Sequence, residues 1–237
     1  PSSAASDVYK RQLSQLRTAK IEVIGPVMEA ECKRSNRGFL QRMKTNKPYV
    51  INKLAMSLDG RTAMESGESQ WITGPEARAQ VHLLRAQSCA VITGIGSILR
   101  DNPSMNVRTD ELTLAGVAEA TIELIKQPLR VVLDSHLRLP TSAKILQQLG
   151  SVLVMTCVAD LQRHQALIDM GVELVVCAAD DQGKVDLSSV LTILGQRQCN
   201  QVLVEAGAGL SGAFLKAGLT HHFCLLYTSD AADDGTG

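Results

Sequence analysis

Gln201-Val-Leu-Val-Glu205-Ala-Gly-Ala-Gly-Leu-Ser-Gly212 is the stretch whose reading decides the fold. Val202, Leu203 and Val204 are consecutive and apolar, as in a strand buried on both faces. Gly207 and Gly209 break that strand, and a helix is predicted from there to about residue 217. A strand, a glycine turn and a helix form half of a βαβ unit. The same order recurs along the chain. Strands are predicted over 49–56, 89–93, 129–133, 151–155 and 173–176. Helices are predicted over 75–86, 117–125, 141–149, 161–170 and 186–197. This alternation implies an α/β protein with a mostly parallel sheet and helices on both faces.

Composition narrows the function. The 237 residues are 45% hydrophobic and 20% charged, enough to build a core. The formal net charge is +0 and aromatics are only 3%, so neither the basic footprint nor the stacking residues of a nucleic-acid binder are present. No apolar run has the length of a membrane span and no signal segment opens the chain, so a cytoplasmic location is expected. The six cysteines form no Cys-x-x-Cys pair. They read as buried free thiols, and the five histidines show no ligand spacing with them, so no metal site is expected. Whether the chain forms a homo-oligomer stays open.

The ends differ from the middle. Residues 1–12 are small and polar and residues 227–237 show no pattern, and 1–12 and 223–237 read as non-native flanks. A strand is predicted over 21–24 and a helix or helix pair over 29–43, and 45–48 is a polar linker.

Residues 53–74 carry a strand into a polar, glycine-punctuated loop that holds Lys53, Asp59, Arg61, Glu65 and Glu68. Loops on a rigid scaffold carry most binding and catalytic groups. The loop ends at Thr73-Gly-Pro-Glu76, a helix start with Thr73 as cap and Pro75 in the first turn. The following helix places Ala77, Val81 and Leu84 on one face.

Gly207-Ala-Gly209-Leu-Ser-Gly212 satisfies Gly-x-Gly-x-x-Gly between a strand and a helix, where a backbone can approach a pyrophosphate. A plain glycine turn fits equally well. The acidic ribose partner of such sites is not found downstream, which leans towards NADP. Thr93-Gly-Ile-Gly96-Ser97 is a second such turn, followed by Asp101, Asn102, Ser104, Asn106 and Arg108. Arg85 and Arg108 are candidate anion clamps, with ordinary surface arginines as the alternative. Lys53 lies inside an apolar strand, where a charge needs a partner or a task. Glu205 ends the strand before the glycine turn. Lys53 and Glu205 are the candidate pair for proton transfer.

Five stretches together carry a resemblance. They are Lys53-Leu-Ala-Met-Ser-Leu-Asp-Gly-Arg-Thr-Ala63, Gly67-Glu-Ser-Gln-Trp-Ile-Thr73, Asp101-Asn-Pro-Ser-Met-Asn-Val-Arg108, Arg130-Val-Val-Leu-Asp-Ser135 and Val204-Glu-Ala-Gly207. In order, over residues 13–219, they resemble the reductase domain of the bifunctional riboflavin biosynthesis deaminase/reductase family of bacteria. The resemblance implies a dihydrofolate-reductase-like α/β fold. It also implies NADPH-dependent reduction of 5-amino-6-(5-phosphoribosylamino)uracil, a small phosphorylated pyrimidine, to its ribitylamino product. By motif, substrate would meet Ser69, Arg85, Met105, Arg108 and Glu205. NADPH would meet Ala55, Trp71, Ser97, Asp101, Ser135 and the turn Gly207, Ala208, Gly209, Leu210, Ser211, Gly212 and Ala213. Lys53 aligns with a lysine placed near the sugar. Residues 13–44 would then be a remnant of the preceding deaminase domain and its linker. That domain's zinc ligands are absent, so zinc is not expected. Residues 45–222 would be the reductase domain, expected to lack its carboxyl-terminal strands. Two readings stay open beside this one: a same-fold reductase of another pyrimidine or pterin, and a catalytically dead nucleotide-binding fragment.

Overall fold

Alternate residues of the central strands pack on opposite sides of one sheet. Val50, Ala90, Ile92, Val131, Leu133, Leu153, Met155, Val202 and Val204 fill one side. Ile51, Val91, Val132, Val152, Val154 and Leu203 fill the other. Strands buried on both faces need helices on both, which is the arrangement of parallel sheets. The structure is a computed structural model and describes residues 11–56 and 74–227.

The strands are β1 (Tyr49–Met56), β2 (Ala90–Gly94), β3 (Leu129–Leu133), β4 (Val152–Thr156), β5 (Glu173–Val176), β6 (Gln201–Glu205) and β7 (His222–Tyr227). They form a seven-stranded sheet in the order β5-β4-β3-β2-β6-β1-β7. All its strand pairs are parallel. Residues 11–18 are helical, and the helices that follow are α1 (Glu29–Ser35), α2 (Arg37–Thr45), α3 (Pro75–Ala86), α4 (Ile95–Asp101), α5 (Thr109–Leu114), α6 (Glu119–Ile122), α7 (Gln165–Asp169), α8 (Leu187–Gln196) and α9 (Ala208–Lys216). Val190, Leu191 and Leu194 of α8 and Phe214 of α9 close one side of the sheet. Ile95 and Ile98 of α4 and Leu84 of α3 pack on the other. From β2 the chain steps outward through β3, β4 and β5, then returns to insert β6 between β2 and β1. Ligands of open α/β sheets gather at the carboxyl ends of strands where the order reverses in this way.

Two glycines set how closely the outer elements approach. A Cβ on Gly195 of α8 would stand 1.8 Å from the Asn46 carbonyl oxygen, and one on Gly38 of α2 would stand 2.8 Å from that of Asn200. Arg42 of α2 also donates from Nε to Asn200 Oδ1 at 2.6 Å. Helix α2 is thus packed onto the sheet, although the sequence reading placed the domain start after it.

Several expectations are corrected. Residues 21–24 form no strand. Ile21 and Ile24 are 52% and 79% exposed, so the apolar run has no neighbouring strand to pair with. The helix expected over 141–149 is a short 3-10 turn, Lys144–Gln147. The buried Arg130 guanidinium contributes to this: it donates to the carbonyls of Ile145, Gln148 and Gly150, and a helix over 141–149 would bond that of Ile145 internally. The helix over 161–170 shortens to α7 behind another 3-10 turn, and that over 117–125 to α6. The domain was expected to close at residue 222, yet β7 runs from there to Tyr227, in register with β1 from Ile51↔His222 to Met56↔Tyr227. Phe223-Cys-Leu-Leu226 is an ordinary strand sequence, and adjacency to the polar tail hid it. Only Cys177 and Cys199 of the six cysteines are buried; Cys32 and Cys89 are exposed. Among the described residues no helix is long and apolar enough to cross a membrane.

Candidate active site

The parallel register of β1 and β6 sets Lys53 beside Glu205. Residues in register point to the same face, so the ammonium and the carboxylate emerge together at the carboxyl edge of the sheet. Beyond Glu205 the chain turns at Gly207, which precedes the first turn of α9. Beyond β2, Gly94 leads directly into α4. Two strand-to-helix turns therefore flank one crevice. They are tied to each other, because the Gly207 N–H donates to Ser97 Oγ at 3.4 Å.

Two clefts open here. The first, about 560 Å³, is lined by Thr93, Gly94, Gly96, Ser97 and Arg100 on one side and by the run from Glu205 to Leu210 on the other. Three features suit a phosphate-bearing dinucleotide. The α9 N-terminus presents unpaired N–H groups and a positive dipole end. A Cβ added to Gly207 or Gly209 would meet nothing within 4 Å, so space above the turn is open. Thr93 is 1% exposed and its Oγ1 has no hydrogen-bond partner. A buried hydroxyl without a partner is costly unless a ligand completes it.

The second cleft, about 420 Å³, is lined by Arg78, His82, Arg85, Arg108 and Lys144, with Ser104, Asn106 and Gln148. It is rich in cationic side chains and suits an anionic ligand. Lys53, Ala55, Asp101, Pro103, Met105 and Glu205 line both clefts. A ligand in each would meet across that shared wall.

Arg85 and Glu205 form its anchored part. Arg85 donates from Nε to Glu205 Oε2 at 2.8 Å and from Nη2 to Oε1 at 2.7 Å, while Nη1 bonds the Asn106 carbonyl at 2.8 Å. Burial by itself would push the Glu205 carboxyl up, but the charge and hydrogen bonds of Arg85, with Lys53 and His82 adding, bring it down to about 2. Glu205 is therefore a fixed carboxylate at neutral pH. Burial also works against the charge on Arg85, and Glu205 outweighs it, so the guanidinium is held above its ordinary value.

His82 of α3 is 3% exposed and stands beside this pair. Its Nδ1 accepts the Arg108 backbone N–H at 3.1 Å, and its Nε2 lies 3.2 Å from Arg108 Nη2. Burial, then the charges of Arg85 and Arg108, lower its pKa to about 4, so the ring is neutral. Arg108 also donates to Glu111 at 2.8 Å.

Most of the residues picked from sequence converge here. Lys53, Ala55, Asp101, Met105 and Glu205 form the shared wall, Ser97 and Gly207 to Leu210 line the first cleft, and Arg85 and Arg108 line the second. Arg85 differs in role: its guanidinium is committed to Glu205 and Asn106, so it is a strut more than a clamp. Ser211 points inward, donating to the Ala206 carbonyl at 3.3 Å, and with Gly212 and Ala213 it belongs to the body of α9. Ser135 lines neither cleft; its Oγ accepts the Val185 N–H at 3.1 Å. Ser69 and Trp71 lie outside the described residues. Among the described residues no group of three or more His, Cys, Asp or Glu could hold a metal.

Sequence reading named Thr93 only as part of the second glycine turn, and missed Arg100, Arg78, His82 and Lys144. His82 gave a weak signal, as a polar residue on the inward face of α3 beside Val81. Lys144 gave none, because the turn that presents it is set by Arg130.

Comparison with known proteins agrees with this geometry. The family described as "RibD C-terminal domain" matches residues 48–229. The riboflavin biosynthesis protein RibD of Escherichia coli (strain K12) is 41% identical over 212 residues, covering 90% of this chain and 56% of the relative. The chain thus spans just over half the length of the curated relatives it matches. A solved structure of Acinetobacter baumannii RibD superposes with a TM-score of 0.75 at 39% identity, over 93% of this chain and 60% of that one. A Thermotoga maritima diaminohydroxyphosphoribosylaminopyrimidine deaminase/5-amino-6-(5-phosphoribosylamino)uracil reductase superposes at 0.69 with 27% identity, over the same shares of the two chains. With a parallel sheet, helices on both faces and two clefts at the sheet's carboxyl edge, the chain belongs to the RibD C-terminal domain family and has its dihydrofolate-reductase-like fold.

Proposed function

We propose that the chain reduces 5-amino-6-(5-phosphoribosylamino)uracil to 5-amino-6-(5-phosphoribitylamino)uracil with NADPH. One observation carries the proposal: the glycine-turn cleft and the cationic cleft share a wall that holds Lys53 and Glu205. The first cleft takes the cofactor, with its phosphates at the α9 N-terminus and Arg100 at the rim. The second takes the substrate, with Arg108 and Lys144 on the sugar phosphate. When bound, NADPH supplies the hydride.

The residues of the wall handle protons and charge. Opening of the ribosylamine ring breaks the bond between the sugar carbon and the ring oxygen. That oxygen gains a proton and the exocyclic nitrogen loses one, leaving an imine. Reduction adds hydride to the carbon and a proton to the nitrogen. The Lys53 ammonium is the donor, placed at the strand edge by the β1–β6 register. Glu205, ionised at neutral pH, donates no proton. It stands beside Lys53 on the neighbouring strand and stabilises positive charge developing at the imine nitrogen. Arg85 keeps that carboxylate fixed, and phosphate binding orients the reacting carbon.

The reading is tested by single-turnover oxidation of NADPH, followed by absorbance, with the phosphorylated substrate and with its dephosphorylated analogue. Oxidation with the first and much slower oxidation with the second is expected. Equal rates would remove the phosphate from the account, and no oxidation with either would remove the reductase reading.

A further inference from the structure

At the opposite edge of the sheet, away from both clefts, two cysteines meet. Cys89 immediately precedes β2 and Cys199 lies two residues before β6, and these strands are neighbours. The Cys89 N–H donates to the Gln201 carbonyl at 2.9 Å, which fixes the two strand starts side by side. The Asn200 backbone N–H donates to Cys89 Sγ at 3.3 Å, which brings Cys199, one residue earlier, beside that sulfur, close enough for the two thiols to shift each other's ionisation. Asn200 is itself held by the Arg42 guanidinium at 2.6 Å, which brings a cation to the cluster. Cys89 is exposed and Cys199 is buried.

The geometry points to Cys89 and Cys199 as an oxidation-sensitive dithiol that a peroxide converts to a disulfide. An exposed sulfur with converging donors and a nearby cation is the environment of a reactive thiolate, and a resolving cysteine in contact completes such a site. The hydrogen bond from Cys199, helped by the backbone donors and Arg42, outweighs burial and lowers the Cys89 thiol to about 5. Cys199 is pushed up, first by donating to Cys89, then by burial. The first of these causes vanishes once Cys89 is oxidised. Cys157, Cys177 and Cys224 are all raised, chiefly by burial, and serve as internal controls.

The chemistry balances without help from the clefts. The Cys89 thiolate attacks one peroxide oxygen, the S–O bond forms and the O–O bond breaks. The departing hydroxide takes a proton to become water. Cys199 then loses its proton and attacks the Cys89 sulfur. The S–S bond forms, the S–O bond breaks, and the leaving oxygen takes that proton as a second water. Two thiols lose two electrons and the peroxide gains them.

The test treats the whole chain with hydrogen peroxide, alkylates remaining thiols after denaturation, and maps the peptides by mass. A Cys89–Cys199 cross-link that dithiothreitol reverses is expected, with Cys157, Cys177 and Cys224 recovered as free thiols. In Cys199→Ser the hydroxyl still donates to Cys89, so Cys89 is expected to accumulate as a sulfenic acid trapped by dimedone. Recovery of both thiols unoxidised, or of over-oxidised Cys89 without a cross-link in the wild-type chain, would overturn the inference. The wild-type map decides even if the variant fails to fold.

Discussion

Arg85 and Glu205, 120 residues apart in the chain, face each other through two hydrogen bonds of 2.8 and 2.7 Å. One belongs to α3 and the other ends β6, so the pair closes the substrate cleft against the sheet. Arg85 and Glu205 are only 12% and 15% exposed at their side chains. Removing one partner from so buried a pair leaves an unpaired charge. Glu205→Gln should therefore cost about 3–5 kcal/mol of stability, read as a lower midpoint in urea unfolding. Replacing both partners together, as Arg85→Met with Glu205→Leu, should cost less than Glu205→Gln alone. A double variant that simply sums two large losses would contradict this account of the pair.

The low pKa of Glu205 fixes its acid behaviour. Its folded value of about 2 lies below the ordinary 4.5, so the pair's contribution is complete above about pH 4.5 and is lost as pH falls towards 2. His82 acts at higher pH. Its folded value of about 4 lies below the ordinary 6.5, so the unfolded chain binds the proton first. Stability is complete above 6.5 and declines as pH falls from there to about 4, by about 3 kcal/mol at most. In His82→Gln the part of the decline between these values should flatten, as measured by unfolding across that range.

The division into two clefts is tested by a charge in each. Ala208→Asp places a carboxylate in the first turn of α9, where it suits the helix dipole but repels a cofactor phosphate. NADPH affinity should fall about tenfold or more, with the fold intact and substrate affinity little changed. Arg108→Ala should do the reverse, raising KM for the phosphorylated substrate and leaving NADPH affinity near the wild-type value. Loss of both affinities in either variant would mean that the clefts are not separate.

Gly195→Ala tests the packing of α8. Its Cβ would lie 1.8 Å from a backbone oxygen, which no rotamer relieves. A loss of about 3 kcal/mol is expected, visible in thermal unfolding. An unchanged midpoint would mean that α8 does not approach Asn46 this closely.

How much of this was legible in the sequence depends on range. The run Val202-Leu-Val204 and the Pro75 helix start announced their elements because local pattern and burial agree there; α3 spans Pro75–Ala86 as read. Residues 21–24 have the composition of a strand but no neighbour, and pairing is a tertiary property. The insertion of β6 between β2 and β1 leaves no local trace, so neither did the Lys53–Glu205 register. Arg85 was recognised as important, but its partner lies on a distant strand, and an unpartnered arginine reads as a clamp. Ser135 belongs to a motif the resemblance assigned to cofactor, and its Oγ also accepts the Val185 N–H from 50 residues away, a contact no local pattern announces.

The central claim is that Lys53 gives the proton where the two clefts meet. Lys53→Met removes the ammonium while keeping the length of the side chain. The decisive measurement is single-turnover NADPH oxidation by this variant, beside equilibrium binding of NADPH and of the phosphorylated substrate. A rate reduced about 100-fold or more with both affinities nearly unchanged is the predicted result. An undiminished rate, or a loss accounted for by weaker binding alone, would contradict it.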